Sequence, residues 1–99
     1  MAMINNREGL HMRNNEKFVY LNPVDGRKSF YGKCKVLEDE YGKMLYSYDT
    51  LVARFIPGRG LVRSWSGWSA TTQRHINAFA AYCGIKASGK KWWDTVEYL

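Results

Sequence analysis

The chain has 99 residues, of which 45% are hydrophobic and 24% are charged. This length supports one domain with one modest core, and the composition excludes both a disordered chain and a membrane-spanning segment. Fifteen Lys and Arg against nine Asp and Glu give a formal net charge of +6, and aromatic residues make up 15%. Positive charge together with many aromatic side chains indicates a protein that binds another molecule.

The N-terminus and the two cysteines bear on the cell compartment. Residues 1–10 contain no apolar segment behind a basic start, so they do not resemble a secretory signal. Cys34 and Cys83 lie far apart in the sequence, and in an intracellular chain such cysteines are more often small buried side chains than a disulfide. We therefore expect a cytoplasmic protein with reduced, structural thiols, and a single disulfide is the alternative.

Two regions are predicted along the chain. Residues 1–15 are rich in Asn and Arg and have no apolar period, which predicts a flexible N-terminal arm. Residues 16–99 are expected to form a single domain, in which short β-forming runs alternate with turn signals. The predicted strands lie near residues 18–21, 33–36, 43–48, 51–56 and 61–65, and the acidic residues 38–40 are expected in a solvated loop.

The clearest hairpin joins the last two predicted strands. If its loop is the four residues 57–60, Arg54 lies directly opposite Arg63, and Trp65 lies on the same face. Two arginines paired across strands repel each other unless an anion lies over them, so this register predicts an anion-binding face. A one-residue bulge in the turn would remove the pair. The other face is expected to be core and carries Leu51, Ala53, Phe55 and Val62.

One helix is predicted over about residues 70–83. Ser69 stands where an N-cap is expected, and Gly84 stands where a left-handed C-cap residue belongs. A single stripe of the helix is expected to pack on the sheet and carries Thr72, Ile76, Phe79, Ala80 and Cys83. The sequence thus predicts an α+β fold, with one helix packed on a small antiparallel sheet of four to five strands.

The C-terminal tail is rich in tryptophan and is assigned to the same domain. Residues 86–99 are expected to form either a short turn of helix or an added strand. Trp92 and Trp93 are too apolar for the tail to remain free. We expect one of them to dock into the domain and fix the tail, and the other to stay on the surface.

Candidate catalytic groups are sparse. His75 on the helix lacks the further ligands that a metal site needs on the hairpin, so we expect a structural histidine, hydrogen-bonded to Thr71, Thr72 or Tyr82. Neither cysteine has a histidine nearby in sequence, and no glycine-rich loop precedes a helix as a phosphate cradle requires. We therefore expect that the protein has no enzymatic activity, binds no cofactor and contains no metal site.

Three segments resemble a known family. They are Ser29-Phe-Tyr-Gly-Lys33, Ser47-Tyr-Asp-Thr50 and Trp65-Ser-Gly-Trp-Ser-Ala-Thr-Thr-Gln-Arg-His-Ile-Asn-Ala-Phe79. The chain is similar, from about residue 29 to residue 92, to a family of small uncharacterised proteins from bacteriophages and from bacteria that carry mobile elements. The resemblance implies an accessory role in that setting, including interference with host defence, inside a bacterial host cell. It transfers no catalytic residue.

Charge, aromatic content and this resemblance lead to one main prediction: a non-enzymatic accessory protein that binds nucleic acid through a basic, aromatic surface. The alternative is an anti-defence inhibitor, similar to an anti-CRISPR protein, that binds a host protein or ribonucleoprotein. A third interpretation is a structural partner that associates through exposed tail tryptophans. In the simplest interpretation the cations only keep the protein soluble and the aromatic residues only fill the core. The candidate binding residues are Arg54, Arg59, Arg63, Trp65, Arg74, Lys90, Lys91 and Trp93.

Overall fold

The computed structural model describes residues 18–99 and confirms the α+β fold. Five strands form one antiparallel sheet in sequence order, and one main helix accompanies it. The elements are β1 (Phe18–Tyr20), β2 (Cys34–Asp39), β3 (Gly42–Ser47), β4 (Thr50–Ile56), β5 (Gly60–Arg63), α1 (Ala70–Tyr82) and α2 (Lys90–Trp93). The predicted arm over residues 1–15 lies outside the described residues.

The core lies between the sheet and α1. Val36, Leu45 and Ala53 are cross-strand neighbours on β2, β3 and β4, and all three are buried. They belong to the same apolar cluster as Ile76 and Phe79 of α1, which contacts β3. Burial of each large apolar side chain stabilises the fold by roughly 1.5 to 3 kcal/mol, so this cluster fixes the position of α1 on the sheet.

The predicted register of the β4–β5 hairpin is wrong by one residue. The loop has three residues, because the Arg59 N–H donates to the Ile56 carbonyl at 2.9 Å and Ile56 already pairs with Gly60. Arg63 therefore lies opposite Ala53, and Arg54 lies opposite Val62. A one-residue shift moves every side chain of a strand to the other face, so the predicted Arg54–Arg63 pair does not form.

Two further strand predictions are corrected. The pairing of β3 with β4 shifts between Leu45 and Tyr46, which leaves Val52 of β4 as an extra residue. Val52, on the same predicted face as Arg54, is instead buried in the core cluster. Strand β2 continues through Asp39, which pairs with Gly42, so only residues 40–41 connect β2 to β3. The acidic residues are thus partly in a strand and not wholly in a loop.

The predicted ends of α1 are confirmed. The Ser69 hydroxyl accepts a hydrogen bond from the Thr72 N–H at 3.0 Å, and Gly84 has a φ of 79°. An N-cap serine satisfies one of the free N–H groups of the first turn, and glycine adopts a left-handed φ without strain. Ala78 lies outside the predicted stripe of α1, but it is buried in the core cluster, to which Trp93 also belongs.

The tail forms the predicted turn of helix, and its contact with the sheet is one isolated bridge instead of an added strand. One helical turn, α2, buries Trp93 completely and leaves Trp92 half-buried. The chain then reaches β5, where Tyr98 forms a parallel bridge with Arg63. Both cysteines are free thiols, and burial raises the pKa of Cys34 to about 12. Between residues 18 and 99 the structure contains no helix of the length and apolarity needed to cross a membrane.

Candidate functional site

Most of the cations predicted to bind a ligand are engaged within the domain. Arg59 forms an ion pair with Glu97, in which its Nε donates to Oε1 at 3.1 Å. Lys90 Nζ lies 2.9 Å from an Asp94 carboxylate oxygen. The C-terminal tail supplies both carboxylates, so it neutralises charge that the sequence alone suggested was available to a ligand.

Arg54 is also held by the domain. Its Nε donates to Ser64 Oγ at 3.1 Å, and one terminal nitrogen donates to the carbonyl oxygen of Leu99 at 3.4 Å. The Trp65 ring is half-buried and packs against the core cluster, while Lys91 is exposed on α2. These residues do not assemble with the others into one surface.

Arg63 and Trp93 lie in the interior. The Arg63 guanidinium is 4.6 Å from the centroid of the Trp93 ring, and it donates to the carbonyl oxygens of Trp65 and Ser66 at 2.8 Å each. It also reaches the Trp93 carbonyl oxygen at 3.1 Å. Arg63 therefore joins β5, the segment that follows it and α2, which is a structural role.

A cleft of about 230 Å³ lies elsewhere on the molecule, where one loop, one hairpin turn and the start of α1 meet. We call it the tyrosine cleft. Arg74 belongs both to this cleft and to the predicted binding residues. The lining residues are Lys28, Ser29, Phe30, Tyr31, Lys33, Tyr48, Thr71, Arg74 and His75.

Two tyrosines in the cleft have strained backbone conformations. Tyr31 has a φ of 54° and is followed by Gly32 at 75°, and the Lys33 N–H closes the turn on the Phe30 carbonyl at 2.9 Å. Positive φ at both central positions defines a type I′ turn. Tyr48 has a φ of 57° in the two-residue loop between β3 and β4. Left-handed φ is rare for bulky residues and costs about 1 to 3 kcal/mol each.

Both tyrosines remain largely accessible to solvent. Tyr31 is 68% exposed and Tyr48 is 51% exposed, so Tyr31 gains little, and Tyr48 only part, of the burial energy that would offset the backbone strain. Strained residues cluster at functional sites, where a required side-chain position outweighs the conformational cost. The tyrosine cleft therefore stands out as the candidate site of the described residues.

Positive charge surrounds the two rings. Lys28 and Lys33 are exposed and form no ion pair with any of residues 18–99. Thr71 in the first turn of α1 also lines the cleft, and this turn contains no acidic side chain. A helix N-terminus carries a partial positive charge, so the lysines and the helix favour an anion at the same place.

Arg74 has a supporting role in the cleft. Its Nε donates to one Asp25 carboxylate oxygen at 2.9 Å, a terminal nitrogen donates to the other at 3.2 Å, and the same nitrogen donates to the Lys28 carbonyl at 2.8 Å. The hydrogen bond from Arg74 lowers the pKa of the exposed Asp25 carboxyl to about 2. Arg74 therefore fastens the loop that carries Lys28 and Tyr31 to α1.

His75 forms the buried wall of the cleft. Its side chain is 1% exposed, and its Nδ1 shares a 2.6 Å hydrogen bond with Ser47 Oγ. The Phe30 ring packs edge-on against it at 4.5 Å between centroids, and the Tyr48 ring lies 5.9 Å away. Desolvation and, to a smaller extent, the charge of Arg74 lower the pKa of His75 to about 4, so the imidazole is neutral at physiological pH.

The predicted partners of His75 are wrong. Tyr82 donates its hydroxyl to Glu38 at 3.0 Å, and the Thr72 hydroxyl bonds with Ser69 at 2.9 Å. Ser47 is the partner, and it lies 28 residues away on β3. A partner this distant in the chain cannot be recognised from the spacing of residues along one helix.

The chemistry of the cleft suits a ligand that is both anionic and aromatic. The exposed rings can stack on a planar group, the lysines can contact phosphate, and the neutral imidazole can hydrogen-bond a polar edge. The volume is below the roughly 300 to 1,000 Å³ typical of pockets that enclose a drug-sized ligand. It therefore suits one unit of a longer molecule. Among residues 18–99 no group of three His, Cys, Asp or Glu side chains could hold a metal ion.

Four residues of the cleft were not predicted to bind a ligand: Lys28, Tyr31, Lys33 and Tyr48. A signal was present, because each tyrosine precedes a small turn-forming residue, Gly32 or Asp49. The three segments that carried the family resemblance also supply every lining residue of the cleft except Lys28. Those segments meet in space only after the sheet and α1 have formed.

Comparison with known proteins places the chain in a family but gives no activity. No curated protein matches the chain, and no solved structure matches it. The model described as "Family of unknown function (DUF8033)" matches residues 19–95, which is more than half of the chain. The chain belongs to the DUF8033 family, whose function is unknown.

Proposed function

We propose that this protein binds single-stranded nucleic acid through the tyrosine cleft and catalyses no reaction. The observation that carries the proposal is the placement of Tyr31 and Tyr48, two exposed and strained rings, beside the lysines at positions 28 and 33. Proteins that bind single strands combine a positively charged groove with aromatic side chains on which bases stack.

A single strand fits this site better than a duplex. The rings can stack only on bases whose faces are free, and in a duplex those faces are covered by neighbouring base pairs. Each stacked base contributes about 1 to 3 kcal/mol to binding. A cleft of about 230 Å³ accepts one such unit and leaves the rest of the strand on the surface.

The lysines supply the contribution that depends on salt. Each phosphate that a Lys side chain neutralises releases condensed counterions, and for single strands the logarithm of affinity falls with the logarithm of salt at a slope of about −0.7 per contact. This role is supported by Lys28 and Lys33, which line the cleft together with Thr71 of the first turn of α1. The formal net charge of +6 adds a general attraction to the polyanion.

The biological setting in this proposal is an accessory role in a bacteriophage or mobile element. It rests on the family resemblance of the three segments and not on the geometry of the cleft. An inhibitor that docks on a host protein is the rival, and it predicts a different response. Binding to a protein depends on a few anchor residues and is less sensitive to salt than binding to a polyanion.

Fluorescence anisotropy tests the proposal directly. Labelled single-stranded DNA, single-stranded RNA and duplex DNA of equal length are titrated with the protein at two salt concentrations. We expect tighter binding of a single strand than of the duplex, and weaker binding at the higher salt. Equal affinity for duplex and single strand, or no binding at low salt, would contradict the proposal.

A pair of double variants assigns the binding to the cleft. We expect Tyr31→Ser with Tyr48→Ser to reduce single-strand affinity at least about fivefold, as loss of stacking of about 1 to 3 kcal/mol implies. Tyr20→Ser with Tyr41→Ser removes two tyrosines of similar exposure outside the cleft and should leave affinity unchanged. Circular dichroism confirms that both variants are folded.

A further inference from the structure

His75 differs from the other groups of the tyrosine cleft. It is buried and uncharged at physiological pH, whereas Lys28 and Lys33 are exposed and cationic. A phosphate interacts most strongly with charged donors. A neutral imidazole on the buried wall is better suited to hydrogen-bond an uncharged polar part of the ligand than its phosphate. The polar edge of a nucleobase is such a part.

The two nitrogens of the imidazole differ in their contacts. Nδ1 is engaged by Ser47 Oγ at 2.6 Å, and Nε2 has no hydrogen-bond partner among residues 18–99. A buried polar atom without a partner is costly, and native structures usually provide one. Phe30 and Tyr48 pack around the ring and fix its orientation.

We propose that Nε2 of His75 hydrogen-bonds the edge of one unpaired base inside the tyrosine cleft, so that the protein distinguishes between bases at that position. This inference rests on the proposed binding of single strands. The lysines contact the backbone and Tyr31 and Tyr48 stack on the base, which are contacts that any sequence can make. His75 supplies the contact that depends on the identity of the base.

Ser47 binds the other nitrogen of the same ring. A neutral imidazole has one donor and one acceptor nitrogen, and the hydrogen bond at one nitrogen fixes the role of the other. The Ser47 hydroxyl can donate to Nδ1 or accept from it, and Nε2 takes the opposite role to Nδ1 toward a base. Ser47 is a positioning residue in this arrangement, because it lies behind the ring and does not line the cleft.

The test uses short strands that carry one base, A, C, G or T, in an otherwise abasic backbone, together with a fully abasic strand. We expect the natural protein to prefer one base over the least favoured by roughly fivefold, the fold-change expected from one net hydrogen bond. His75→Phe keeps an aromatic ring of similar shape but removes both nitrogens. It should bind all four bases equally and still bind them better than the abasic strand.

Tyr82→Phe is the matched control, because it removes a hydrogen bond from the same helix to Glu38, outside the cleft. It should retain the base preference. A second measurement needs no variant at all: the ¹⁵N resonance of His75 Nε2 is followed in the natural protein. It should shift when a strand that carries the preferred base is added and remain in place with the abasic strand.

The outcomes separate this inference from the proposed function. Equal affinity for all four bases, a base preference that survives His75→Phe, or an unmoved Nε2 resonance would overturn the role of His75 and leave single-strand binding intact. If no strand binds, not even single-stranded DNA or RNA with all bases present, both proposals are overturned.

Discussion

The backbone N–H of Tyr48 donates to the carbonyl oxygen of Lys33 at 2.8 Å. This hydrogen bond joins the loop that carries Tyr31 to the hairpin that carries Tyr48, so the two strained tyrosines belong to one structural unit. Arg74 fastens the same loop to α1 through Asp25 and the Lys28 carbonyl. The cleft is therefore preformed by backbone and ionic contacts, which lowers the entropy lost on binding a strand.

The strain at Tyr31 predicts opposite effects on stability and on binding. Asn tolerates a left-handed φ far better than Tyr does. Because the Tyr31 ring is mostly exposed, Tyr31→Asn should raise the free energy of unfolding by about 0.5 to 1 kcal/mol. It should also weaken single-strand binding, since a stacking surface is lost. Urea denaturation and fluorescence anisotropy measure the two effects.

Tyr41→Asn is the control for this substitution. Tyr41 is 76% exposed in the β2–β3 turn, and its φ is not positive. The substitution should therefore neither stabilise the fold nor weaken binding. A loss of stability in Tyr31→Asn would show that the ring makes a contact that outweighs its backbone strain.

The buried His75 predicts a loss of stability at mildly acidic pH. Its pKa is lowered from 6.5 to about 4 in the folded chain. The unfolded chain takes up a proton as the pH falls through 6.5, whereas the folded chain does so only near 4. Stability is therefore unaffected above about pH 7 and decreases as the pH falls toward 4, by about 2 kcal/mol between pH 7 and pH 5. Urea denaturation at the two pH values measures the difference.

His75→Phe assigns this effect to one side chain. The variant should lose most of the difference in unfolding free energy between about pH 7 and about pH 5. Asp25 does not interfere, because its lowered pKa contributes stability that is lost only as the pH falls from 3.8 toward 2. A pH dependence that is the same in the variant and the natural protein would contradict the assignment.

Replacement of Arg63 should strongly destabilise the fold, although the sequence suggested that this residue contacts a ligand. Arg63→Ala leaves the carbonyl oxygens of Trp65 and Ser66 without a donor in a partly buried region. We expect it to lower the free energy of unfolding by about 2 to 4 kcal/mol, measured by urea denaturation. Arg63→Lys should recover little, because an ammonium group cannot reproduce the planar fork of donors.

Arg59→Ala is the comparison for Arg63. Arg59 forms an ion pair with Glu97 in which both side chains are about half exposed, and exposed pairs contribute at most about 1 kcal/mol. If both alanine variants had the same small effect, Arg63 would not have the interior role that its contacts indicate.

Local signals in the sequence predicted the elements well. The N-cap at Ser69, the left-handed Gly84 and the order of the strands depend on residues close to one another in the chain. The register of the β4–β5 hairpin did not follow from the sequence. It depends on whether Gly60 belongs to the loop or to the strand, and both are compatible with the same residues.

The candidate site was hidden from the sequence for two physical reasons. Arg59 on the hairpin appeared free to bind a ligand, because its partner Glu97 lies in the tail, 38 residues further along the chain. The contact between Ser47 and His75 depends on the packing of α1 against β3. Both relationships are tertiary, so neither periodicity nor composition can reveal them.

Two charge-matched double variants test the central claim most directly. Lys28→Gln with Lys33→Gln removes two charges at the cleft, and Lys86→Gln with Lys91→Gln removes two exposed charges away from it. Both lower the formal net charge from +6 to +4, that is, 6 − 2. Single-strand affinity is measured by fluorescence anisotropy over a range of salt concentrations.

The cleft variant should bind a single strand at least tenfold more weakly at low salt. Its salt slope should fall in magnitude by about 1.4, the value for two lost phosphate contacts on a single strand. The distant variant should keep a slope close to that of the natural protein. If the two variants lose affinity and slope equally, the protein attracts nucleic acid only through its overall charge, and the tyrosine cleft is not the binding site.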